Sequence, residues 1–460
     1  MESKFFNLHI QPGYSINLFS KPKIINFIKI FNISKIMLGK KVCIVGLGYV
    51  GLPLLCLSME KGYKTYGLDI SNERVEIIKK GISPIKDKFL EQRLKNIKDI
   101  EATTDSAILK KSDIIIICVP TPIDSQYNPN LKPLQGAAKT VSENLKKGAL
   151  VIIESTVFPG TTDEIIKPIL EKSGLKAGED FYLAYCPERV DPGNKKWNVN
   201  NLPRVVGALS SGGLKQAADF YRSITSSDVL ELNSVKAAEA TKIMENTFRD
   251  INIAFVNEMA KSFDKMGIDI TEVIKGASTK PFAFMPHWPG CGVGGHCIKV
   301  DPYYLISKAK ENGFTHRFLN LAREINNSMP HYTVGKVVEG LNEIDKSVKD
   351  TKITVLGVAY KGGVDDMRES PAFEIIDELK KLGADLEVFD PYIPDKSTVD
   401  NLDEALDADC IVIATDHPEF KVLRPDELKE KGVKVVVDGK NCLDKKGLIS
   451  LGVIYKGIGR

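Results

Sequence analysis

KVCIVGLGYVG, at residues 41–51, decides the fold. It is a short apolar run that ends in three glycines with the spacing G-x-G-x-x-G, at Gly46, Gly48 and Gly51. In a strand–turn–helix unit the first glycine makes the tight turn, the second lets the backbone approach a pyrophosphate, and the third lets helix and strand pack closely. The start of the helix then presents its partial positive charge to the phosphates. The stretch therefore predicts a Rossmann unit that binds a dinucleotide.

Asp69 ends the next apolar run, TYGLDI, about 20 residues beyond the glycines, which is the spacing of the acid in such a unit. A carboxylate there accepts both ribose hydroxyls and repels a 2′-phosphate, so it favours NAD over NADP. Arg74 weakens this preference, because a nearby arginine can pair with that phosphate. The alternative is a glycine turn without a ligand. Because strand, helix and acid are all in place, we predict an NAD site that includes Gly46, Gly48, Gly51, Asp69 and Arg74.

Apolar runs alternate with helical segments in the first half of the chain and again near its C-terminal end, and the segment between these two parts has a different pattern. The first half carries DIIIICVPTP, LVIIESTVFPG and VLEL, and this alternation predicts a parallel sheet. From residue 351 it returns in ITVLGVAY, LEVFDPYI, CIVIATD and VKVVVDGK, which predicts a second, smaller sheet. Between them, residues 234–265 contain no Gly or Pro and carry apolar residues on more than one side. That pattern predicts one long helix at a domain or subunit contact.

The fold class that follows is α/β. We expect two doubly wound parallel sheets, an N-terminal Rossmann domain and a C-terminal Rossmann-like domain, joined by a helical middle with one long helix. The expected parts are an N-terminal extension at 1–36, an NAD-binding domain at 37–233, a central segment at 234–345 and a C-terminal domain at 346–460. Ligands of such folds bind at the carboxyl ends of the strands, so the cleft between the two sheets is the expected site.

Composition excludes several classes of function. The 460 residues carry 63 basic and 60 acidic side chains, without the basic excess that a nucleic-acid surface needs. No run of about 18 apolar residues is present, so we expect no membrane span. The eight cysteines include no CxxC pair, which favours free thiols in a cytoplasmic protein and no metal site. Residues 1–36 lack a signal-peptide cleavage site, and are expected to be a weak surface helix or untranslated sequence ahead of a start at Met37.

Two groups of polar residues carry the candidate chemistry. The first is a stripe on one face of the long helix, with the i, i+4, i+7 spacing of Lys242, Asn246 and Arg249. Its alternative is a solvated charged face. The second group surrounds Cys297 in GVGGHCIKVDP, where glycines permit close approach of a ligand and Asp301 follows four residues later. The alternative for Cys297 is an inert buried cysteine, and His296 beside it is a candidate base or a turn residue.

Further motifs occur along the chain in the order GLGYVGLPL, CVPTP, ESTVFPGTT, CPERVDPGN, KIMENTFRD, PGCGVGGHCIKVDPYYL and AYKGGVDDMRESPA. On these motifs the chain resembles the UDP-glucose/GDP-mannose 6-dehydrogenase family from about Lys41 to the C-terminus. TKPFAFMP and GGHCIKVDPYYL are most similar to UDP-N-acetylglucosamine 6-dehydrogenases, with UDP-N-acetylmannosamine and UDP-N-acetylgalactosamine enzymes as near neighbours. The resemblance implies an NAD-dependent enzyme, a C-terminal domain that binds the UDP-sugar, and a central segment for catalysis and dimerisation.

The family carries out a four-electron oxidation with two NAD in turn, and the resemblance implies this reaction here. The C6 hydroxyl of the sugar is first oxidised to an aldehyde. Cys297 would capture the aldehyde as a thiohemiacetal, a second hydride transfer would give a thioester, and water would cleave it. The cysteine is needed because a free aldehyde is a poor hydride donor, whereas its tetrahedral adduct is a good one. The covalent bond also retains a reactive intermediate.

The resemblance also assigns roles to single residues. Lys242 is expected to stabilise negative charge on oxygen, with Asn246 as its partner, and Asp301 to activate water together with Lys242. Thr121 is expected to touch both the cofactor and the active-site water, and Glu188 to be the base for thioester hydrolysis. Further cofactor contacts are expected at Tyr49, Val50, Thr156 and Arg368. Substrate contacts are expected at Lys242, Asn246, Arg189, Val190, Arg249, Lys280, Gly294, Tyr360 and Lys361.

Two positions depart from the family pattern. UDP-glucose dehydrogenases carry a second glutamate where this chain has Pro192, beside Asp191, which argues against glucose as the sugar and leaves the hydrolysis base open. The family often carries an arginine, donated across the dimer, where this chain has Lys280. A lysine neutralises a phosphate without the planar fork of arginine. We expect a homodimer or a dimer-based oligomer built on the long helix.

Two other functions fit parts of the pattern. Dehydrogenases of the hydroxyacid type share the dinucleotide domain and the long helical middle, but they need no cysteine and do not carry a second α/β sheet. A non-catalytic NAD-binding sensor would be expected to lose Cys297, Lys242 or Asp301, and all three are present. The sequence therefore favours the nucleotide-sugar dehydrogenase.

Overall fold

A computed structural model describes residues 37, 39–85, 87–124, 126–191, 194 and 196–460. The extension predicted at 1–36 lies outside these residues, and so does Pro192. No helix in the described part of the chain is long and apolar enough to cross a membrane.

The first half of the chain contains eight strands, which are β1 (Lys41–Val45), β2 (Lys64–Leu68), β3 (Glu101–Thr103), β4 (Ile114–Ile117), β5 (Leu150–Ile153), β6 (Tyr182–Tyr185), β7 (Arg204–Ala208) and β8 (Val229–Glu231). They form one sheet in the order β3-β2-β1-β4-β5-β6-β7-β8. All pairings are parallel except that of β6 with β7. Helices cover both faces of a parallel sheet, which is why all four isoleucines of β4 are buried.

The register of the central strands brings the predicted site residues together. Val45 pairs with both Leu68 and Ile117, and Ile117 pairs with Ile153. The residues that follow these four strands therefore emerge at one edge of the sheet. They include Gly46, Asp69, Cys118 and Glu154.

Helices of the first half connect these strands. They are α1 (Gly51–Glu60), α2 (Asn72–Lys79), α3 (Lys88–Asn96), α4 (Lys132–Ser142), α5 (Lys167–Leu170) and α6 (Ser211–Ile224), with short 3-10 turns at Ser106–Lys111 and Glu171–Ser173 and a π-helical turn at Thr161–Ile166. Side-chain hydrogen bonds to backbone N–H groups explain where several of these helices begin. The Ser71 hydroxyl accepts from the backbone N–H of Arg74 at α2, and Ser210 does the same for Gly213 at α6.

The middle of the chain is helical, with α7 (Val235–Lys265), α8 (Ile270–Ala277), α9 (His296–Glu311), α10 (Arg317–Asn327) and α11 (Met329–Asn342). The long helix α7 starts at the predicted point, where the Ser234 hydroxyl accepts from the N–H of Ala237. One side of α7 packs on α9 and α10. There Asp250 and Arg323 form a buried ion pair at 2.5 Å, and Asn326 donates to the same carboxylate. An ion pair that is buried and hydrogen-bonded in this way fixes the packing of the two helices.

A second sheet follows, built from β9 (Lys352–Leu356), β10 (Asp385–Phe389), β11 (Cys410–Ile413), β12 (Val435–Asp438) and β13 (Ile454–Gly457). The strand order is β10-β9-β11-β12-β13, and all pairings are parallel. Its helices are α12 (Pro371–Lys381), α13 (Leu402–Ala405), α14 (Pro418–Lys421), α15 (Pro425–Glu430) and α16 (Lys445–Ser450), with a 3-10 turn at Pro394–Lys396.

The second sheet has the same glycine turn after its first strand as the first sheet has. Gly46 and Gly357 each follow the first strand with positive φ angles of 93° and 92°. Each donates its N–H across the sheet at 2.8 Å, to Leu68 and Phe389 respectively. Asp390 follows β10 just as Asp69 follows β2. Asp390 is bound by more groups than Asp69, since its Oδ2 accepts from the N–H of Val358 and pairs with His417, while its Oδ1 accepts from two backbone N–H groups.

The predicted fold class is confirmed. Two α/β sheets are joined by a helical middle with one long helix, and the C-terminal sheet is wholly parallel. The N-terminal sheet differs from the prediction in one place, since β7 runs antiparallel to β6. The chain reverses between residues 186 and 203, and the described residues of this segment, 186–191, 194 and 196–203, form no crossover helix of the kind that usually joins parallel strands.

Candidate active site

The glycine turn has the geometry that its sequence predicts. A Cβ on Gly46 would lie 2.9 Å from the carbonyl oxygen of Cys118, and a Cβ on Gly51 would lie 1.9 Å from that of Gly46. Gly48 differs, because a Cβ there would meet nothing within 4 Å. The first and third glycines are therefore required for packing, while the second leaves open space in front of the turn. This arrangement fits a pyrophosphate at the start of α1.

Asp69 is buried beside this turn. Its Oδ2 accepts from the N–H of Leu47 at 2.8 Å, and its Oδ1 accepts from that of Ser71 at 2.9 Å. Arg74 lies 3.3 Å from Oδ2, so the guanidinium that could pair with a 2′-phosphate pairs with the acid instead. The carboxylate is thereby oriented at the end of β2, where the ribose of a dinucleotide binds. The residues present fit NAD.

Thr121 and Thr156 lie together beyond the ends of β4 and β5. The Thr121 hydroxyl donates to the carbonyl oxygen of Thr156 at 2.7 Å, so its proton is already engaged. Tyr304 of α9 donates its phenolic hydroxyl to the carbonyl oxygen of Thr121, also at 2.7 Å. This bond joins the edge of the first sheet to the helix that carries Cys297.

Cys297 is the second residue of α9, and its side chain is accessible to solvent. The glycines before it bring the C-terminal domain close, since a Cβ on Gly294 or Gly295 would lie within 2.9 Å of Tyr360. Crowding by these walls raises the pKa of the thiol and Asp301 adds to the rise, while Lys242 and Arg368 oppose it. The resting sulfur is therefore a protonated thiol with two cations close by.

Asp301 lies one turn along α9 and is buried. Asn246 of α7 donates its amide to Asp301 Oδ2, and Lys242 lies one turn before Asn246 on the same face. Burial raises the pKa of Asp301 to about 6, against the opposing effects of Lys242 and Asn246. Lys242 is only 7% exposed, so the alternative of a solvated charged face does not hold for it. The pair of α7 and α9 thus assembles thiol, carboxylate, ammonium and amide.

The loop after β6 carries Glu188, Arg189 and Val190. Glu188 Oε1 accepts from the N–H groups of Arg189 and Val190 at 2.5 and 2.6 Å. Glu188 and Val190 line a cavity of about 380 Å³ together with Tyr49 and Val50 of the glycine turn. The guanidinium of Arg189 pairs instead with Glu245 of α7 at 2.6 Å. Of the three residues, Glu188 and Val190 therefore face the expected cofactor side.

The C-terminal domain reaches this region through the loop after β9. Lys361 donates to both carboxylate oxygens of Asp191 at 2.9 and 3.0 Å. Arg368 lies over the ring of Tyr49, 5.2 Å from its centroid, and donates to Asp366 at 2.6 Å. The two sheets therefore meet across the glycine turn and the loop after β6, with the predicted residues of both domains at the contact.

Two predicted substrate residues make none of the contacts described above. Arg249 and Lys280 are exposed on the central segment. Lys280 lies over the ring of Phe282, 4.9 Å from its centroid. Sequence reasoning also missed a residue, Arg204, whose guanidinium is buried 3.3 Å from Glu188. The sequence feature that could have indicated this buried charge is an arginine at the start of the apolar strand RVVGA.

Family models match the chain in three consecutive parts. They describe the NAD binding domain, the central domain and the UDP binding domain of the UDP-glucose/GDP-mannose dehydrogenase family, at residues 40–225, 236–328 and 354–445. A UDP-N-acetyl-D-mannosamine dehydrogenase from Pyrococcus horikoshii is 38% identical over 425 residues, 91% of this chain and 99% of the relative.

The chain belongs to the UDP-glucose/GDP-mannose dehydrogenase family.

As a member of this family it is an NAD-dependent oxidoreductase of nucleotide sugars, as the sequence predicted. A UDP-N-acetyl-D-glucosamine 6-dehydrogenase from Pseudomonas aeruginosa is 37% identical over 423 residues, 88% of this chain and 97% of the relative. The solved structure of the UDP-D-ManNAc dehydrogenase from Pyrococcus horikoshii superposes with a TM-score of 0.86, covering 91% of this chain and 99% of that one, at 38% identity.

Proposed function

We propose that this dehydrogenase oxidises the C6 hydroxyl of a UDP-N-acetylhexosamine to a carboxylate, and that the sugar is N-acetylglucosamine. One observation carries the proposal. The accessible thiol of Cys297 lies one helical turn from the buried Asp301, beside Lys242 and Asn246, at the contact between the two sheets. The similarity to relatives that act on UDP-N-acetyl sugars supports the substrate class. UDP-N-acetylmannosamine and UDP-N-acetylgalactosamine are the alternatives, and UDP-glucose is disfavoured by Pro192 in place of a glutamate.

The proposed reaction has two oxidations with a covalent step between them. Bound NAD accepts the hydride in each oxidation. In the first, C6 loses a hydride and its hydroxyl loses a proton, and the ammonium of Lys242 stabilises the charge that develops on oxygen. The sulfur of Cys297 then bonds to the aldehyde carbon, and the thiol proton passes to the carbonyl oxygen. The adduct loses a second hydride and its hydroxyl proton, which leaves a thioester on Cys297.

Hydrolysis completes the reaction. Water adds to the thioester carbon, the bond from carbon to sulfur breaks, and a proton returns to the sulfur of Cys297. Burial raises the pKa of Asp301 to about 6. Its carboxylate is therefore mostly ionised at pH 7, and its pKa is near enough to that pH for it to accept and return a proton. Glu188 is the proposed base for the attacking water. Its carboxylate has a defined direction, because its own loop donates two N–H groups to Oε1.

The test measures NADH release with UDP-N-acetylglucosamine, UDP-N-acetylmannosamine, UDP-N-acetylgalactosamine, UDP-glucose and GDP-mannose in parallel. The proposal expects the highest kcat/KM with UDP-N-acetylglucosamine, two NADH per sugar, and a product heavier by the mass of one oxygen less two hydrogens. A single NADH per sugar contradicts the four-electron oxidation. Faster turnover of UDP-glucose contradicts the substrate class, and faster turnover of another N-acetyl sugar corrects the sugar.

We also propose a homodimer formed through α7. Its face opposite α9 and α10 exposes the large apolar side chains of Met244, Phe248 and Phe255. Phe318 and Leu321 on α10 are exposed as well, at 64% and 48%. A dimer would cover these side chains and place the exposed Lys280 near a neighbouring subunit. The predicted boundaries at 37–233, 234–345 and 346–460 remain our proposal for the domains, and the eight free cysteines support a cytoplasmic location.

A further inference from the structure

Arg204 is an arginine buried behind the active-site loop. It starts β7, and its side chain is 1% exposed. Its Nη1 lies 3.3 Å from Glu188 Oε2 and 3.6 Å from Glu154 Oε1. Tyr221 of α6 donates its hydroxyl to Glu154, and the guanidinium lies 5.4 Å from the centre of its ring. One cation is thus shared by two carboxylates that arrive on different elements.

Burial of this many ionisable groups is costly unless each has a partner. Burial raises the pKa of Glu154 to about 7, against the opposing charge of Arg204, and the charge of Glu188 raises it further. Cys118 and Cys186 close the site, and burial raises the pKa of both thiols, so they stay protonated. The cluster therefore contains one permanent positive charge and two carboxylates. Of these, Glu154 is fully enclosed and Glu188 borders the cavity.

Arg204 is the ion-pair partner of the one oxygen of Glu188 that the loop does not bind, and its guanidinium nitrogens make no hydrogen bond among the described residues. Glu188 Oε1 is bound by the N–H groups of Arg189 and Val190, whereas Oε2 faces Arg204. Three residues after Glu188, Asp191 binds Lys361 of the C-terminal domain. A guanidinium fixed in the core therefore defines the direction of a carboxylate in a loop that also contacts the opposite domain.

We propose that Arg204 is a positioning residue for thioester hydrolysis. It holds Glu188 where that carboxylate takes the proton of the attacking water, while the oxygen of the water bonds to the thioester carbon and the sulfur of Cys297 leaves. Glu154 keeps the guanidinium in place when Glu188 becomes neutral, because loss of the Glu188 charge removes one cause of the raised pKa of Glu154 and so favours its ionised form. This inference rests on the proposed function.

The main test is Arg204→Lys, which keeps the charge but lacks the planar guanidinium whose Nη1 lies within 3.6 Å of both carboxylates. The readouts are intact-protein mass spectrometry after rapid quench, kcat and both KM values. We expect a covalent sugar adduct on the protein, a burst of two NADH per site, and a steady kcat lowered about 100-fold, at the lower end of what a positioned base contributes. KM for NAD and UDP-sugar should stay near the native values. Hydroxylamine, which needs no base to cleave a thioester, should restore turnover.

Arg222→Lys is the matched control, because Arg222 pairs with Glu231 and Asp219 outside the cluster. It should keep native kcat and show no adduct. Glu188→Gln should reproduce the adduct of Arg204→Lys. If Arg204→Lys does not fold, Glu154→Gln serves instead, since its amide oxygen still accepts from Tyr221. There the quenched enzyme should also carry the covalent sugar adduct, and hydroxylamine should restore its turnover, because Arg204 has lost the partner that keeps it beside Glu188.

Native turnover without adduct in Arg204→Lys overturns the inference, and so does a loss of kcat that hydroxylamine does not restore. In Glu154→Gln, native turnover without adduct overturns it as well. These results are distinct from a failure of the proposed function, in which the wild-type enzyme itself releases fewer than two NADH per sugar and makes no acid.

Discussion

Two cysteines at the start of the catalytic helix have opposite environments. Cys297 is accessible at the cleft, whereas Cys291 is buried and donates its thiol to the carbonyl oxygen of Ala414 at 3.3 Å. Both have a glycine within two residues on the N-terminal side, Gly290 before Cys291 and Gly295 before Cys297, so local composition does not separate them. The difference arises because Gly439 of the C-terminal domain covers Cys291, with the ideal Cβ of Gly439 3.0 Å from that of the cysteine.

Removal of the sulfur tests covalent catalysis. Cys297→Ala should bind NAD and UDP-sugar with near-native affinity, measured by calorimetry, but should form no acid and at most traces of aldehyde by mass spectrometry. The reason is that the first oxidation is reversible and stalls without an adduct. Cys291→Ala should keep most of the activity, with a lower melting temperature because a buried group is lost. Substantial acid from Cys297→Ala would show that the covalent step is wrong, and a dead Cys291→Ala would identify the other sulfur.

Asp301 makes stability depend on pH. Its folded pKa of about 6 lies above the ordinary value of about 3.9, so its protonated form is favoured in the folded state. The stability that this supplies is present below the ordinary value and is lost as pH rises through 6. From pH 5 to pH 8 the wild type should therefore lose about 1 kcal/mol relative to Asp301→Asn. Urea unfolding of both proteins at the two pH values measures this, and a difference independent of pH would contradict it.

The catalytic helix α9 depends on glycine for its contact with the second sheet. Gly295 has a positive φ of 82°, and a Cβ there would lie 2.9 Å from the ring of Tyr360. Gly295→Ala should cost about 1–3 kcal/mol of folding free energy, because strain and contact add. It should also lower kcat/KM for UDP-sugar at least about tenfold by displacing the start of α9. Thermal unfolding and initial rates measure the two effects.

Gly335 provides the control for this prediction. It lies inside α11, and a Cβ there would meet nothing within 4 Å. Gly335→Ala should keep activity and gain about 0.5–1 kcal/mol, since alanine loses less backbone freedom in a helix. Equal behaviour of the two variants would mean that the contact of Gly295 with Tyr360 has no role.

Elements were predictable from the sequence where their cause is local. The glycine turn, the strand after it and Asp69 follow from spacing and periodicity, and the long helix follows from the absence of glycine and proline up to Lys265. The antiparallel β7 was not predicted, because its direction depends on which strand edge is free when the chain returns. Arg204 was missed for the same reason, since its carboxylate partners are brought to it by β5 and β6 and not by its neighbours in sequence.

Assembly is a property of the whole molecule. Phe255→Glu places a charge on the exposed apolar face of α7 and should convert the proposed dimer to monomer, with a lower melting temperature, because burial of that charge is unfavourable. Ile449→Glu is the control, since Ile449 is similarly exposed, at 53%, but lies on α16. Light scattering coupled to size exclusion measures both masses. A wild type that is monomeric at micromolar concentration would contradict the proposed interface.

Lys280 tests whether the dimer shares its active sites. Lys280→Ala should raise KM for UDP-sugar, because the ammonium that neutralises phosphate is lost. Mixing it with the Cys297→Ala protein should give hybrid dimers with one site that has both groups, so activity should recover on mixing. Activity that only averages the two parents would indicate that Lys280 acts within its own subunit or not at all.

The hydrogen bonds that occupy the Asp390 carboxylate bear on how the cofactor is exchanged during turnover. Four backbone N–H groups and His417 occupy it, whereas Asp69 accepts from two backbone N–H groups and pairs with the half-exposed Arg74. The carboxylate of the second sheet therefore has less capacity to bind a ribose, and the glycine turn at Gly46 lies in the part of the chain that matches the family's NAD binding domain. Under the proposed reaction, NADH must leave the site at Gly46 and a second NAD must bind there while the half-oxidised sugar stays bonded to Cys297. The rate of this cofactor exchange sets an upper limit on kcat. Under that reaction, a high ratio of NADH to NAD would leave the enzyme with the half-oxidised sugar still bonded to Cys297.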